Sequence, residues 1–248
     1  MTKWDRAGVE AAVKAGKSLK GEDLSGLDFN EASLRGADLR GCRLDGARFI
    51  RADLTGAALD GASVEGAWFE LAVLQQASLR DVKGGSGHFA NSFLQRARLD
   101  NAVLPGADFN GATMDGAVLR LAELAGGEFG TADLSGADLT DSNVERSAFR
   151  YTIFTGARLT RTRARGSDFT DADFTDAELV EVEAGRALFN AAIFDQVTIT
   201  RCDFQEADFR GAGLKARDMS DSILTGAQFK KPKAKKGDAG AEEDEPAA

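Results

Sequence analysis

One histidine, His88, and two cysteines, Cys42 and Cys202, are all that 248 residues offer for imidazole or thiol chemistry. A histidine-based metal site or a nucleophile–histidine pair needs that imidazole among further ligands or beside a positioned partner. His88 has only Gly85, Gly87 and Phe89 around it in sequence, which reads as an exposed loop-like residue and not as a base. Carboxylates are abundant, 40 Asp and Glu against 31 Lys and Arg, yet Asp recurs just before an apolar residue throughout the chain. Their spacing is therefore that of a repeat and carries no acid–base information. The 28 glycines follow the same repeat, and none forms a phosphate-cradling loop between a strand and a helix. No catalytic residue, cofactor or metal is expected.

The element that positions these residues is a unit of five. ADLRG (37–41), ADLTG (52–56), ADFNG (107–111), ADLSGADLT (132–140) and ADFTDAELV (172–180) share one frame, in which a large apolar centre recurs at every fifth position from Leu24 to Phe229. Of the 42 centres 19 are Leu and 15 are Phe, and the position two before is Ala in 25 units. One large and one small inward residue per five describe a solenoid with short sides and a narrow interior. Phe also recurs at every twentieth position from Phe29 to Phe229, while the other 31 centres hold only four Phe. Such a ladder forms if 20 residues complete one coil and equal positions stack along one wall, so the coil has four sides. With stacked strands ~4.8 Å apart, about ten coils give a rod of roughly 50 Å.

Departures from the frame keep the interior filled. Gly84 is preceded by Val82 and Ala184 by Val182, so volume moves between the two inward sites of one side. The stretch DVKGGSGHFA stays in frame and is expected to remain in the stack. Cys42 and Cys202 both occupy the small inward position, roughly 38 Å apart at the same coil spacing. That is beyond disulfide reach, and they read as buried small hydrophobes of a reducing compartment.

The ends are different. Residues 2–16 read as a helix, with Thr2 and Asp5 as a capping box, Val9 and Val13 on one face near Trp4, and Gly16 as its stop. It is expected to cover the first coil, since an open β-helix exposes unpaired strand edges. After Phe229 the chain carries five Lys and five acidic residues without apolar periodicity, as a disordered tail would. The expected organisation is a cap over 1–20, a rod over 21–229 and a charged tail over 230–248. No opening apolar stretch of about 7–15 residues reads as a signal peptide, and no run of ~18 apolar residues reads as a membrane span.

The A(D/N)(L/F)xx unit resembles the pentapeptide repeat family, over residues 22–229. The resemblance implies an all-β fold, a right-handed quadrilateral parallel β-helix, in a protein that is not an enzyme. It also implies two lines of function. Some relatives are acidic rods that imitate duplex DNA and bind DNA gyrase and related topoisomerases, protecting them from inhibitors. The opening SLKGEDLSGLDFNEASLRGADLRG is similar to pentapeptide repeat proteins that accompany type VI secretion components. A bacterial, cytoplasmic, non-catalytic scaffold or adaptor is expected, with a protein partner and without direct contact to nucleic acid or membrane.

Outward positions should be polar, and a few are not. Ile50, Trp68, Leu71, Val73 and Phe93 fall on the Phe wall, its following corner and the next side, with His88 beside them and Arg48, Arg51, Glu70 and Gln75 around them. A contiguous apolar patch of this kind marks a protein contact, either with a partner or with a second copy. A homodimer through a coil end is the other expected assembly. Tyr151, Ile153, Leu188 and Ile193 are more scattered along the same edge. Charge supports the competing reading through Asp168, Asp171, Asp173, Asp176, Glu178 and Glu181 as an acidic surface. Removing +3 for residues 1–20 and zero for the tail from the net −9 leaves −12 on the rod, and Arg158, Arg161, Arg163 and Arg165 oppose the acids. Duplex DNA of that length carries roughly 30 phosphates, so any mimicry is dilute.

Overall fold

The computed structural model describes residues 4–219 and 221–229. The chain forms a right-handed quadrilateral β-helix in which the sides pair in parallel with those 20 residues on, from Asp23↔Arg43 to Asp208↔Gln228, except where the last coil departs from the stack. Each side contributes two backbone hydrogen bonds. The centre donates upward, as from Phe49 N to Trp68 O at 2.6 Å, and the residue before it donates downward, as from Arg48 N to Leu27 O at 2.9 Å. Only three sides lengthen into strands of three residues, β1 (Arg158–Thr160), β2 (Glu178–Val180) and β3 (Thr198–Thr200), with Leu159, Leu179 and Ile199 in register.

The interior is the one expected. The Phe rings of the twentieth-residue ladder stack face to face from Phe29 to Phe229, with centroids 4.8 Å apart at Phe69–Phe89 and ring planes within 6°. A second ladder, Phe154, Phe174 and Phe194, rises beside it and meets it edge-on, with Phe154 and Phe169 inclined by 62°. Where the small inward residue is Ser or Thr, its hydroxyl donates to a backbone carbonyl. Thr152 reaches Phe129 O at 2.6 Å and Ser167 reaches Val144 O at 2.6 Å, so no buried hydroxyl there lacks an acceptor. Val182 and Ala184 are both buried. At Gly84 a Cβ would lie 2.5 Å from the backbone of Val64 and Glu65, so glycine is the residue that lets these coils touch. The glycine-rich stretch stays in the stack, with Gly84 N bonded to Val103 O at 3.0 Å.

The recurrent Asp has a structural role. Its carboxylate accepts the backbone N–H two residues on, as Asp53 does from Thr55 at 3.0 Å and Asp173 from Thr175 at 2.9 Å. This Asx turn shapes the corners where Asp precedes the centre. The second corner residue is left-handed, and among the described residues 23 other than glycine occupy that region.

Both ends correct the sequence reading. The helix α1 (Arg6–Lys14) is shorter than 2–16 and is capped by Asp5, whose side chain accepts from Gly8 N at 2.8 Å. Asp5 is extended, so it serves as the cap itself and not as the partner of Thr2, which lies outside the described residues. Gly16 stops the helix as expected, with Gly16 N bonded to Val13 O and Lys17 N to Ala12 O, both at 2.9 Å. Val9 and Ala12 are buried and Trp4 donates to Glu22 at 2.9 Å, which seats the helix on the first coil. The stack also begins one unit before Leu24, because Leu19 is fully buried and bonds to Asp38 O at 2.9 Å. At the far end the sequence frame reaches Phe229 unbroken, but the backbone leaves it. Leu214 is half-buried, Ala216–Met219 forms a 3-10 turn, and among the described residues the bridge ladder through Ile153 and Asp173 ends at Ile193. Gly211 and Gly213 are both left-handed there. The tail from residue 230 lies outside the described residues.

Candidate docking face

The frame sorts outward residues into columns that climb the rod, and the sequence-derived patch occupies three adjacent ones. On the Phe wall, Trp68 and His88 are bridge partners whose rings stack 4.1 Å apart with planes inclined by 23°. The Arg48 guanidinium lies 5.8 Å from the Trp68 ring centre. On the next wall Val73 and Phe93 are bridge partners. Ile50 and Leu71 hold the corner between the walls, where Ile50 N donates to Asn30 Oδ1 at 2.9 Å. Leu71 and Phe93 are 37% and 39% exposed, while Ile50, Trp68, Val73 and His88 are half-buried. The cap helix leaves this surface open and covers the coil end instead. Leu71 is left-handed at φ 58, a conformation that disfavours a branched apolar side chain.

The acidic residues are arranged differently. Asp168 sits on the Phe wall, Asp171 on its corner, Asp173 on the next wall, Asp176 on the next corner, Glu178 on β2 and Glu181 on the corner after it. They therefore encircle one coil and do not share one face. Several are also neutralised locally, through Arg158–Glu178 at 3.0 Å, Arg201–Glu181 at 2.7 Å and Arg150–Asp168 at 3.7 Å. Elsewhere the same device recurs, and the Arg161 guanidinium holds the Asp141 carboxyl below its usual range. A polar groove of about 510 Å³ between Arg146, Arg165, Arg186 and Glu206 is likewise laced by ion pairs, Arg186–Glu206 at 2.7 Å among them.

The remaining chemistry is buried. Cys42 and Cys202 are free thiols under the surface, and burial pushes the Cys202 thiol up to about 11. Among the described residues no group of three or more His, Cys, Asp or Glu side chains could hold a metal ion. No helix among them is long and apolar enough to cross a membrane. Leu121, at 56% exposure, and Val103, at 39%, escaped the sequence reading. They lie on the diagonally opposite edge, and the rule that found Leu71, an apolar residue at an outward position of the frame, would have found them.

Parallel coils that pair wall on wall through their backbone define a solenoid. The chain belongs to the pentapeptide repeat family, whose model matches eight copies over residues 18–46, 88–120, 128–163, 152–190 and 177–215. It is similar in structure to HetL, a pentapeptide repeat protein involved in heterocyst differentiation regulation from the cyanobacterium Nostoc sp. strain PCC 7120. The two are 22% identical over 91% of this chain and 94% of HetL, with a TM-score of 0.37. Trypsin-treated QnrB1, a plasmid-mediated fluoroquinolone resistance protein, matches at 18% identity over 84% of this chain and 89% of its own, with a TM-score of 0.44. No curated protein matches the sequence.

Proposed function

We propose that this protein is a non-catalytic scaffold of the bacterial cytoplasm that docks a protein partner on the face built by Ile50, Trp68, Leu71, Val73, His88 and Phe93. The observation that carries the reading is the placement of exposed Leu71 and Phe93 beside the stacked Trp68–His88 pair, on walls whose outward positions are otherwise largely polar. Similarity of the opening segment to proteins that accompany type VI secretion supports an adaptor role beside a secretion machine. The test is Trp68→Ser with Phe93→Ser. Ser63 and Ser78 already occupy equivalent outward bridge positions, so the double variant keeps its far-UV spectrum and loses the partner. Unchanged partner binding and unchanged oligomeric state in that variant sink the proposal, and size-exclusion chromatography with light scattering separates a second copy from a foreign partner. Imitation of DNA before gyrase has less support, because the acids encircle a coil and pair with Arg. A supercoiling assay unaffected at micromolar protein removes it.

A further inference from the structure

The corner column that carries Leu71 continues through Asn91, Gly111 and Thr131 to Tyr151. Tyr151 is 57% exposed and, like Leu71, left-handed, at φ 59. It adjoins Ile153, 40% exposed, in the wall column of Val73 and Phe93. One face therefore holds two apolar spots with small residues between them. Phe93 and Ile153 are three coils apart, roughly 14 Å, and Leu71 and Tyr151 four coils apart, roughly 19 Å, at ordinary strand spacing.

The surface between the spots is acidic in an unusual way. Asp108 and Glu128 are adjacent bridge partners on the Phe wall, and Asp133 stands on the neighbouring wall. Elsewhere on the rod many acids are matched by Arg, on these two walls as in Arg35–Asp53 and Arg150–Asp168 and on the others as in Arg120–Asp138 and Arg163–Glu123. None of Asp108, Glu128 and Asp133 has an ion-pair partner among the described residues, and the bridge neighbours that flank the Asp108–Glu128 pair are His88 and Ala148. Like charges directly opposed on a sheet destabilise it, so a matching cation from outside is favoured here.

We propose that this face binds a basic amphipathic helix of the partner, laid along the rod. The inference rests on the docking reading above and names the partner's chemistry. The walls of the rod pair their backbone with the coils above and below, so strand addition is confined to the coil ends and a lateral ligand that satisfies its own backbone, as a helix does, is the one that fits. At 1.5 Å per residue, roughly 14–19 Å corresponds to apolar anchors about 9–13 residues apart, with Lys or Arg on the same face between them. The rod then supplies an anchor spot at each end and three unpaired carboxylates in the middle.

The test is a display selection of a helix-forming peptide library on the full-length protein, followed by fluorescence anisotropy of the best binder. Enriched sequences are expected to be cationic, with apolar pairs about three helical turns apart and affinity that falls with salt. Tyr151→Ser with Ile153→Ser is expected to weaken binding about tenfold or more. Asp108→Asn with Asp133→Asn is expected to weaken it and flatten the salt dependence. Asn keeps the acceptor for Asn110 N and Ser135 N, each at 2.9 Å, so the corners hold. No enrichment of basic sequences, or binding indifferent to Tyr151 and Ile153, overturns the proposal. Loss only at Trp68 and Phe93 overturns the two-spot helix while leaving the docking face standing, and loss at neither spot overturns both.

Discussion

Removing the ring of Phe109 measures what holds the rod together. Phe109 is fully buried and lies between Phe89 at 4.8 Å and Phe129 at 5.0 Å, both stacked within 11°. Truncating a buried Phe to Ala costs about 3–5 kcal/mol in transfer and cavity terms, and the upper half applies here because neighbouring coils are pinned by backbone bonds above and below and cannot collapse. Each lost ring–ring contact accounts for about 0.5–1.5 kcal/mol of that total. Phe29 is equally buried but has one ladder neighbour, Phe49 at 5.1 Å, so Phe29→Ala should cost about 1 kcal/mol less. Phe109→Leu, which restores bulk that the adjoining walls already use, should fall near half the Ala value. Urea unfolding followed by far-UV circular dichroism gives the three numbers, with the m-value reporting whether the rod still unfolds as one unit. A Phe109→Ala loss below about 1 kcal/mol, the size of a surface substitution, would refute the stacked-coil energetics.

Gly84→Ala forces a Cβ to 2.5 Å from backbone and should destabilise by more than Gly106→Ala, which meets open space and carries only the left-handed penalty of about 1–2 kcal/mol; thermal melts of the two compare them directly. Leu71→Gly relieves a left-handed leucine, so stability should hold or rise by up to about 1 kcal/mol while partner binding falls, a divergence readable from one melt and one titration. The Arg210 guanidinium holds the Asp208 carboxyl down to about 2. Because the folded value lies below the unfolded one, that contribution is present above about pH 4 and is lost as pH falls through about 2. Asp208→Asn should flatten the acid limb of the stability–pH curve. Cys42 and Cys202 should resist iodoacetamide in the native protein and react after unfolding, since both are buried and burial raises both thiols.

How much was legible in the chain follows from where a five-residue rule applies. The four-sided coil could be read because Phe recurs at every twentieth position from Phe29 to Phe229, where the rings stack on one another, which prints the 20-residue turn into the sequence. The exposed apolar residues could be read because the frame assigns each position a direction. What escaped lies where the rule gives way to local chemistry. Asp5 caps the helix through its own carboxylate, which accepts from Gly8 N, a choice that the pattern Thr2 to Asp5 cannot distinguish from a capping box. Leu19 precedes the first complete unit yet already has Asp38 above it to bond. The last coil keeps its spacing in sequence while the backbone leaves the stack at two left-handed glycines and a 3-10 turn. The acids from Asp168 to Glu181 turn around the rod with the chain, whereas Asp108 and Glu128, 20 residues apart, are bridge partners on one wall.

The docking claim meets its most direct test in quantitative affinity purification from the native cell with three forms of the protein. Wild type and the Val103→Ser, Leu121→Ser variant, whose removed side chains are at least as exposed but lie on the opposite edge, should retain the same partner in stoichiometric amount. The Trp68→Ser, Phe93→Ser variant should lose it. Retention of the partner by that variant, or equal loss from both variants, would contradict function through this face.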